Sequence, residues 1–277
     1  MKIKIVADSS SDLFDINGVD FVSAPLKIIT DEREFIDNKE LDTEEMVNYL
    51  LKYKGKSSSS CPSPQDWLNA FGDSQEIYCI TITSELSGSY NAANIAKSLY
   101  QEKFPDSKVF VFNSLSTGPE MKLIIEKIKD LIFEKRKFNE ICDAVTEYCK
   151  KTGLIFMLES MKNLANNGRV SSLAAKAAGI LGIRAIGKAS DKGDLESLDK
   201  CRGEAKALES ILFQMKKLKF NSGKVRIAHC LNLCAAEKLK SLILREFKNA
   251  DIEIYSCGGL CSFYAEKGGM IIGFEKA

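Results

Sequence analysis

Two hydroxyl-rich segments contain the side chains best suited to hold an anion. The first begins with the four serines Ser57–Ser60 and leads directly into Ser63-Pro64-Gln65-Asp66. Ser63, Pro64 and Asp66 are the residue types preferred at the N-cap, N1 and N3 positions, so a helix is predicted to begin here. The unpaired N–H groups and the dipole of a helix start favour a negatively charged ligand beside it. A polar turn before a well-capped helix requires the same residues, so both interpretations stay open at this point.

The second segment lies between a strand of buried type and a helix of small residues. The run from Ile80 to Ile82 is followed by a hydroxyl-rich turn that contains Ser87 and Gly88. Open α/β sheets bind ligands at this kind of position, at the carboxyl ends of strands and beside helix starts. Gly88 would let a ligand or a neighbouring backbone approach closely, although helix capping alone also explains the turn. Hydroxyls converging from two elements suit a carboxylate in a partly buried site, because no cation has to be desolvated there.

The elements that must position these segments alternate along the chain, which predicts an α/β fold. Short apolar runs rich in β-branched residues predict strands at 2–7, 21–29, 77–82, 108–112, 154–158, 183–188, 225–229, 252–255 and 270–274. Segments of helical period predict helices at 43–51, 65–71, 86–102, 121–134, 138–151, 172–179, 204–217 and 235–247. The chain of 277 residues is long enough for about two domains. A Lys-rich helix end meets a glycine at Thr152–Gly153, so the boundary is predicted there, with domains at 1–153 and 154–277.

Composition excludes several classes of function. Lys and Arg number 39 against 38 Asp and Glu, so a net charge of +1 offers no global field for nucleic acid or an anionic membrane. No run approaches the roughly 18 apolar residues of a membrane helix, and the apolar N-terminal stretch is too short for a signal peptide. The nine cysteines are odd in number and scattered. They indicate reduced thiols rather than a disulfide framework, so a cytoplasmic protein that is not membrane-embedded is predicted.

Two rival chemistries have some support in the sequence. Cys230, Cys234, Cys257 and Cys261 form two pairs separated by three residues, and four thiolates could hold zinc in a zinc-stabilised binding protein. Their spacing is looser than that of common zinc pairs, and buried apolar thiols explain them more simply. Asp8 at a strand end is typical of phosphotransferases with an aspartate nucleophile, which indicates a Mg²⁺-dependent phosphatase as the enzyme alternative. A turn aspartate that caps the next segment is the simpler interpretation.

Four motifs, taken in order, resemble those of the DegV family over nearly the whole chain. Val6-Ala7-Asp8-Ser9-Ser10-Ser11-Asp12-Leu13 is similar to the family's opening strand and Asp-Ser turn. The other three resemble its Thr-Ser-Gln-Pro-Ser-Pro, Leu-Ser-Gly-Thr-Tyr and Gly-Gly-Arg-Ile-Ser segments; here they read Ser59-Ser60-Cys61-Pro62-Ser63-Pro64, Leu86-Ser87-Gly88-Ser89-Tyr90 and Asn167-Gly168-Arg169-Val170-Ser171. Any one of them alone would be weak, whereas the four in this order are specific.

The resemblance implies a protein that binds a long-chain fatty acid such as palmitate or stearate in a buried tunnel and does no chemistry on it. It implies an N-terminal α/β sheet domain and a C-terminal sheet domain flanked by helices, and no cofactor besides the ligand. The carboxylate-binding roles of the family fall on Ser59 and Ser87. Ser60 is the reserve within the serine run, and Gly88 lies next to Ser87. Gly168 and Arg169 are expected to support a loop near the site.

The resemblance also implies a partner, a separate fatty-acid kinase that converts the bound acid into an acyl phosphate. The family often ends in a His-x-Gly-Pro-Gly motif near the ligand's head group, and this chain lacks both the histidine and the proline of that motif. Tyr264 or Lys267 is expected to cover the same region. Arg202 and Lys206 match a basic family segment that faces a partner, although a solvated helix start explains their charge equally well.

Overall fold

The computed structural model describes residues 2–171 and 182–277. Its strands are β1 (Ile3–Asp8), β2 (Asp20–Ala24), β3 (Lys27–Thr30), β4 (Glu34–Ile36), β5 (Ser57–Ser60), β6 (Glu76–Thr81), β7 (Lys108–Asn113), β8 (Thr152–Leu158), β9 (Ile183–Ala189), β10 (Leu195–Arg202), β11 (Lys224–His229), β12 (Asp251–Ser256) and β13 (Met270–Glu275). Its α-helices are α1 (Thr43–Lys52), α2 (Pro64–Phe71), α3 (Ser89–Lys103), α4 (Gly118–Phe133), α5 (Phe138–Cys149), α6 (Lys162–Asn166), α7 (Glu204–Lys217), α8 (Leu233–Glu246) and α9 (Gly259–Ala265). The predicted helix at 172–179 lies outside the described residues.

The N-terminal part forms a parallel four-stranded sheet in the order β2-β1-β6-β7. Successive residues of a strand face opposite sides, so Ile5 and Ala7 of β1 pack beneath α4 and α5, while Val6 packs with α2 and α3. Since both faces are covered by helices, the central strands are apolar almost throughout. Because β1 and β6 are parallel neighbours, their carboxyl ends meet at one edge of the sheet. This edge carries Asp8 and the turn with Ser87.

The C-terminal part forms a mixed six-stranded sheet in the order β10-β9-β8-β13-β11-β12. The face that contains Ile155 and Met157 of β8 packs on α7 and α8. Leu154, Phe156 and Leu158 alternate with them and point to the opposite face, together with residues of β13 and α9. This second face of the sheet forms one wall of the site described below.

A third, three-stranded sheet joins β4, β3 and β5 in that order. The single strand predicted at 21–29 is wrong: the chain instead forms β2 and β3, which belong to different sheets. Pro25 lies between them, and because proline has no N–H it cannot continue a sheet ladder. The four serines, which could equally have formed a polar turn, pair antiparallel with β3 as strand β5. The sequence patterns also gave no sign of β4 or of the polar strand β10.

The α/β prediction itself is confirmed, and so is the start of α2. Ser63 Oγ accepts the N–H of Asp66, and the Asp66 carboxylate accepts the N–H of Ser63, so the two form a capping box behind Pro64. One hydrophobic cluster combines Ile28, Phe35 and Met46 with residues beyond 153, and the division at 153 stays a prediction. None of the helices in the described ranges has the length and apolarity needed to cross a bilayer.

Candidate functional site

A cavity of about 310 Å³ lies between the edge of the parallel sheet and the second face of the mixed sheet. This volume is at the lower end of the range of roughly 300–1,000 Å³ that small-molecule sites occupy. Most of its wall is aliphatic or aromatic, contributed by Leu26, Ile82, Leu86, Leu154, Phe156, Leu158, Leu164, Leu195, Leu260, Ala265 and Ile271. A cavity with this lining favours a ligand that is mainly hydrocarbon.

The polar part of the wall combines the two hydroxyl-rich segments. Ser59 and Ser60 at the end of β5, and Ser87 and Gly88 before α3, all line the cavity. The segments lie against each other, because a Cβ atom added to Gly88 would be 3.4 Å from the Sγ atom of Cys61. Gly88 itself has φ of −73° and needs no glycine-specific backbone conformation. Residues separated by 28 positions in the chain are thus brought to one side of one cavity, as the sequence predicted.

Tyr264 completes this polar wall from helix α9. Its Oη atom lies 2.7 Å from Ser59 Oγ, close enough for a hydrogen bond in which either group can be the donor. Burial raises the pKa of Tyr264, and the hydrogen bond with Ser59 and the positive charge of Arg169 partly offset that rise. The phenol therefore stays protonated at neutral pH and can donate a hydrogen bond. Lys267, the other residue expected in this region, is exposed and does not line the cavity.

Arg169 supplies a positive charge to the same wall and connects its parts. The guanidinium Nε donates to the carbonyl of Leu86 at 3.1 Å, and Nη1 donates to that of Asn167 at 2.5 Å. Its Cζ atom lies 5.9 Å from the centre of the Tyr264 ring. Arg169 thus holds Leu86, which precedes Ser87, and lies beside Tyr264. An anion at this wall would meet two serine hydroxyls, a phenol and a fixed cation.

The other predicted residues lie elsewhere. Gly168 is exposed, with φ of 73°, a left-handed conformation that glycine adopts without strain, and it only leads the chain into Arg169. Arg202 is exposed at the end of β10, away from the cavity wall, and its role towards a partner stays a prediction. The sequence patterns missed three polar or thiol groups of the wall, namely Cys61, Thr117 and Cys261. Thr117 precedes the helix start Gly118-Pro119, and that local signal could have identified it.

Asp8 has a structural role behind this wall. Its buried carboxylate accepts hydrogen bonds from Ser10 Oγ at 2.5 Å, Ser89 Oγ at 2.6 Å and the N–H of Ile82 at 2.9 Å. These contacts tie the end of β1 to the end of β6 and the start of α3, on either side of the turn that carries Ser87. A carboxylate that is buried and occupied in this way does not favour the phosphatase alternative.

The cysteines do not favour the zinc alternative. Cys230, Cys257 and Cys261 are buried, whereas Cys234 is exposed on α8. Within residues 2–171 and 182–277, no three His, Cys, Asp or Glu side chains are grouped so that they could hold a metal ion. The Nδ1 atom of His229 accepts the N–H of Asn232 at 3.3 Å, and burial lowers the pKa of this histidine. His229 is thus a satisfied residue at a strand end.

Two buried carboxylates anchor helix α9, which contributes four residues to the cavity wall. Asp37 Oδ1 accepts the N–H of Gly259 at 2.6 Å, and its Oδ2 accepts that of Leu260 at 2.9 Å. Asp12 accepts the N–H of Gly258 at 2.8 Å. Burial raises the pKa of Asp37 to about 6. Burial and the nearby charge of Asp37 raise the pKa of Asp12 to about 8.

These shifts predict that the folded state loses stability as the pH rises. The unfolded pKa of an aspartate is about 3.9, so the folded protein binds the Asp12 proton more tightly than the unfolded chain does. The stabilisation of the folded state by this proton is lost as the pH rises to about 8. Between pH 6.5 and 8, above the titration of Asp37, we expect the free energy of unfolding to fall by up to roughly 1.4 kcal/mol per pH unit. Asp12→Asn should remove this slope, measured by urea unfolding at both pH values. Equal slopes in the two proteins would show that Asp12 is ionised throughout this range.

The fold and the cavity define an α/β ligand-binding protein with an internal, largely apolar site bordered by hydroxyls. The chain belongs to the DegV family, because the model of that family, described as "Uncharacterised protein, DegV family", matches residues 2–277. A DegV domain-containing protein of Streptococcus pneumoniae is 40% identical over 279 residues, with 99% of both chains covered. The family predicted from the four motifs is thereby confirmed.

Two similar solved structures contain fatty acids. The first is a DegV family protein from Eubacterium eligens loaded with heptadecanoic acid, with 43% identity, a TM-score of 0.97, and coverage of 99% of this chain and 100% of that one. The second is the Streptococcus pneumoniae fatty acid kinase (Fak) B3 protein loaded with linoleic acid, with 40% identity, a TM-score of 0.97 and full coverage of both chains. Both share the fold of this chain.

Proposed function

We propose that this protein binds one long-chain fatty acid, with the hydrocarbon tail in the apolar part of the cavity and the carboxylate at Ser59 and Ser87. The observation that carries the proposal is the wall itself, where two serine hydroxyls, Tyr264 and Arg169 border a lining of eleven other aliphatic or aromatic residues. The fatty acids in the two similar structures support the same class of ligand. Ser60 and Gly88 complete the head-group surroundings.

The tail supplies most of the affinity, and the head group sets the orientation. Burial of a sixteen-carbon chain at about 0.8 kcal/mol per CH₂ gives a gross gain on the order of 10 kcal/mol. Association costs offset a large part of this gain. Hydrogen bonds to a charged carboxylate add about 1.5–3 kcal/mol each. Under this proposal the protein is a carrier that leaves the acid chemically unchanged.

The carrier is proposed to present its ligand to a fatty-acid kinase. The similar fatty acid kinase B3 protein supports a partner of this kind. Arg202 and Lys206 are exposed at the junction of β10 and α7, where a partner could contact them. All nine cysteines are free thiols, which supports a reducing cytoplasmic location.

Native mass spectrometry of the purified protein, followed by solvent extraction and lipid analysis, tests the binding proposal. A bound mass that matches one fatty acid and is released by solvent is the expected result. The delipidated protein should then take up one equivalent of added hexadecanoic acid. A protein that is isolated without lipid and takes up no added acid would refute the carrier function.

The hydroxyl of Tyr264 is predicted to strengthen binding modestly. Tyr264→Phe removes the partner of Ser59 Oγ and keeps the ring, so we expect the affinity for hexadecanoic acid to fall about 3- to 10-fold, as for the loss of one hydrogen bond of about 0.5–1.5 kcal/mol. Tyr49→Phe is the matched control, because its hydroxyl bonds Glu32 at 2.8 Å and does not line the cavity. Calorimetric titration measures both variants. Equal affinities would remove Tyr264 from the head-group site.

A further inference from the structure

A second cavity lies beside the first, and Leu154 of β8 lines both of them. The second cavity has a volume of about 550 Å³ and is lined by Phe110 and Phe112 of β7 and by Thr152 of β8, among others. Among the residues that the structure describes, Leu154 is the one that lines both cavities. It is buried, and its side chain faces the same side of the sheet as Phe156. Leu154 is therefore the residue at which the two cavities approach each other.

The neighbours of Leu154 on the adjacent strands are small. On β13 its pairing partner is Gly273, and a Cβ atom there would lie 2.5 Å from the backbone of Pro119 and Glu120. On the other side, β9 ends at Ala189, one residue beyond the pairing of Ile155 with Lys188, and Ala189 lines the second cavity. Neither neighbouring strand therefore offers a long side chain in place of Leu154, and the start of α4 covers Gly273.

We propose that Leu154 limits the length of the acyl chain that the protein accepts, by closing the first cavity towards the second. This inference rests on the proposed fatty-acid binding and names the residue that sets its chain-length specificity. Phe110, Phe112 and Leu115 give the second cavity an apolar side that a longer tail could contact. Each further methylene removed from water strengthens binding by about fourfold. Opening the boundary should therefore favour longer acids selectively.

The test is a competition between hexadecanoic and eicosanoic acid for the delipidated protein, with the bound acids quantified by native mass spectrometry. Leu154→Ala is expected to raise the eicosanoic-to-hexadecanoic ratio by at least roughly tenfold, a small part of the gain available from four methylenes. Leu154→Val, which disturbs the core less, should shift the ratio in the same direction by a smaller factor. Ile155→Ala is the control for core damage, because Ile155 lies on the opposite face of β8 and lines neither cavity.

A comparison with Leu158→Ala distinguishes a boundary from simple enlargement. Leu158 is on the same strand and face and lines the first cavity but not the second. A tenfold shift in Leu154→Ala without one in Leu158→Ala supports the inference. Equal ratios in these two variants, or an unchanged ratio in both Leu154 variants, would overturn it while fatty-acid binding stands. If the wild-type protein binds neither acid, the proposed function fails, and the inference fails with it.

Discussion

The double variant Ser59→Ala/Ser87→Ala is expected to bind hexadecanoic acid at least roughly a hundredfold more weakly than the wild-type protein. Each serine loses one hydrogen bond to a charged carboxylate, so the pair should lose about 3–6 kcal/mol of binding free energy. The tail still gains on the order of 10 kcal/mol from burial, so the acid should enter the cavity with a poorly fixed head group. Competition binding with a fluorescent fatty acid measures the affinity.

The methyl ester of the same acid shows whether the loss concerns the carboxylate. The wild-type protein should prefer the acid to the uncharged ester, and the double variant should lose most of this preference. Ser58→Ala is the matched control, because Ser58 lies between the other serines on β5, is exposed, and does not line the cavity. If the double variant bound the acid as tightly as Ser58→Ala does, the carboxylate would have to be placed elsewhere.

Replacement of Asp37 by alanine is expected to cause the largest loss of stability, about 3–6 kcal/mol. Asp37 is fully buried, and its carboxylate accepts the N–H groups of Gly259 and Leu260 and the hydroxyl of Ser9. Alanine leaves three buried donors without this acceptor, at about 1–3 kcal/mol each, less what relaxation recovers. Because these contacts hold α9, which carries Tyr264 and Leu260, binding should weaken as well. Urea unfolding at pH 7.5 measures the change.

Asp42→Ala separates this effect from the ordinary loss of a helix cap. Asp42 is the N-cap of α1, and its carboxylate accepts the N–H of Glu45 at 2.8 Å near the surface. This variant should lose only about 0.5–2 kcal/mol, the usual effect of removing an N-cap. A loss in Asp37→Ala no larger than in Asp42→Ala would mean that water replaces the Asp37 carboxylate at the start of α9.

Local sequence signals were reliable where the interaction itself is local. The capping box at Ser63 and Asp66 forms between residues three positions apart, so their types alone predict it. The hydrophobic periods likewise identified most helices and strands, because each period reflects which side of one element is buried. The serine strand β5 and the polar strand β10 lack such a period. β5 pairs with β3, and β10 pairs with β9. These pairings depend on backbone hydrogen bonds, which the residue types do not predict.

The sequence by itself determined the α/β class, the family, and the two hydroxyl-rich segments with Ser59 and Ser87. It also marked Arg169 as a supporting residue. Only the tertiary structure decided that Tyr264, 205 positions from Ser59, bonds its hydroxyl, and that the buried Asp37 anchors the helix that carries Tyr264. The structure alone also showed that Leu154 lines two cavities. The physical reason is that these contacts depend on how sheets and helices pack. Packing brings together residues that are distant in the chain, and the type of a residue does not specify which distant residue it will contact.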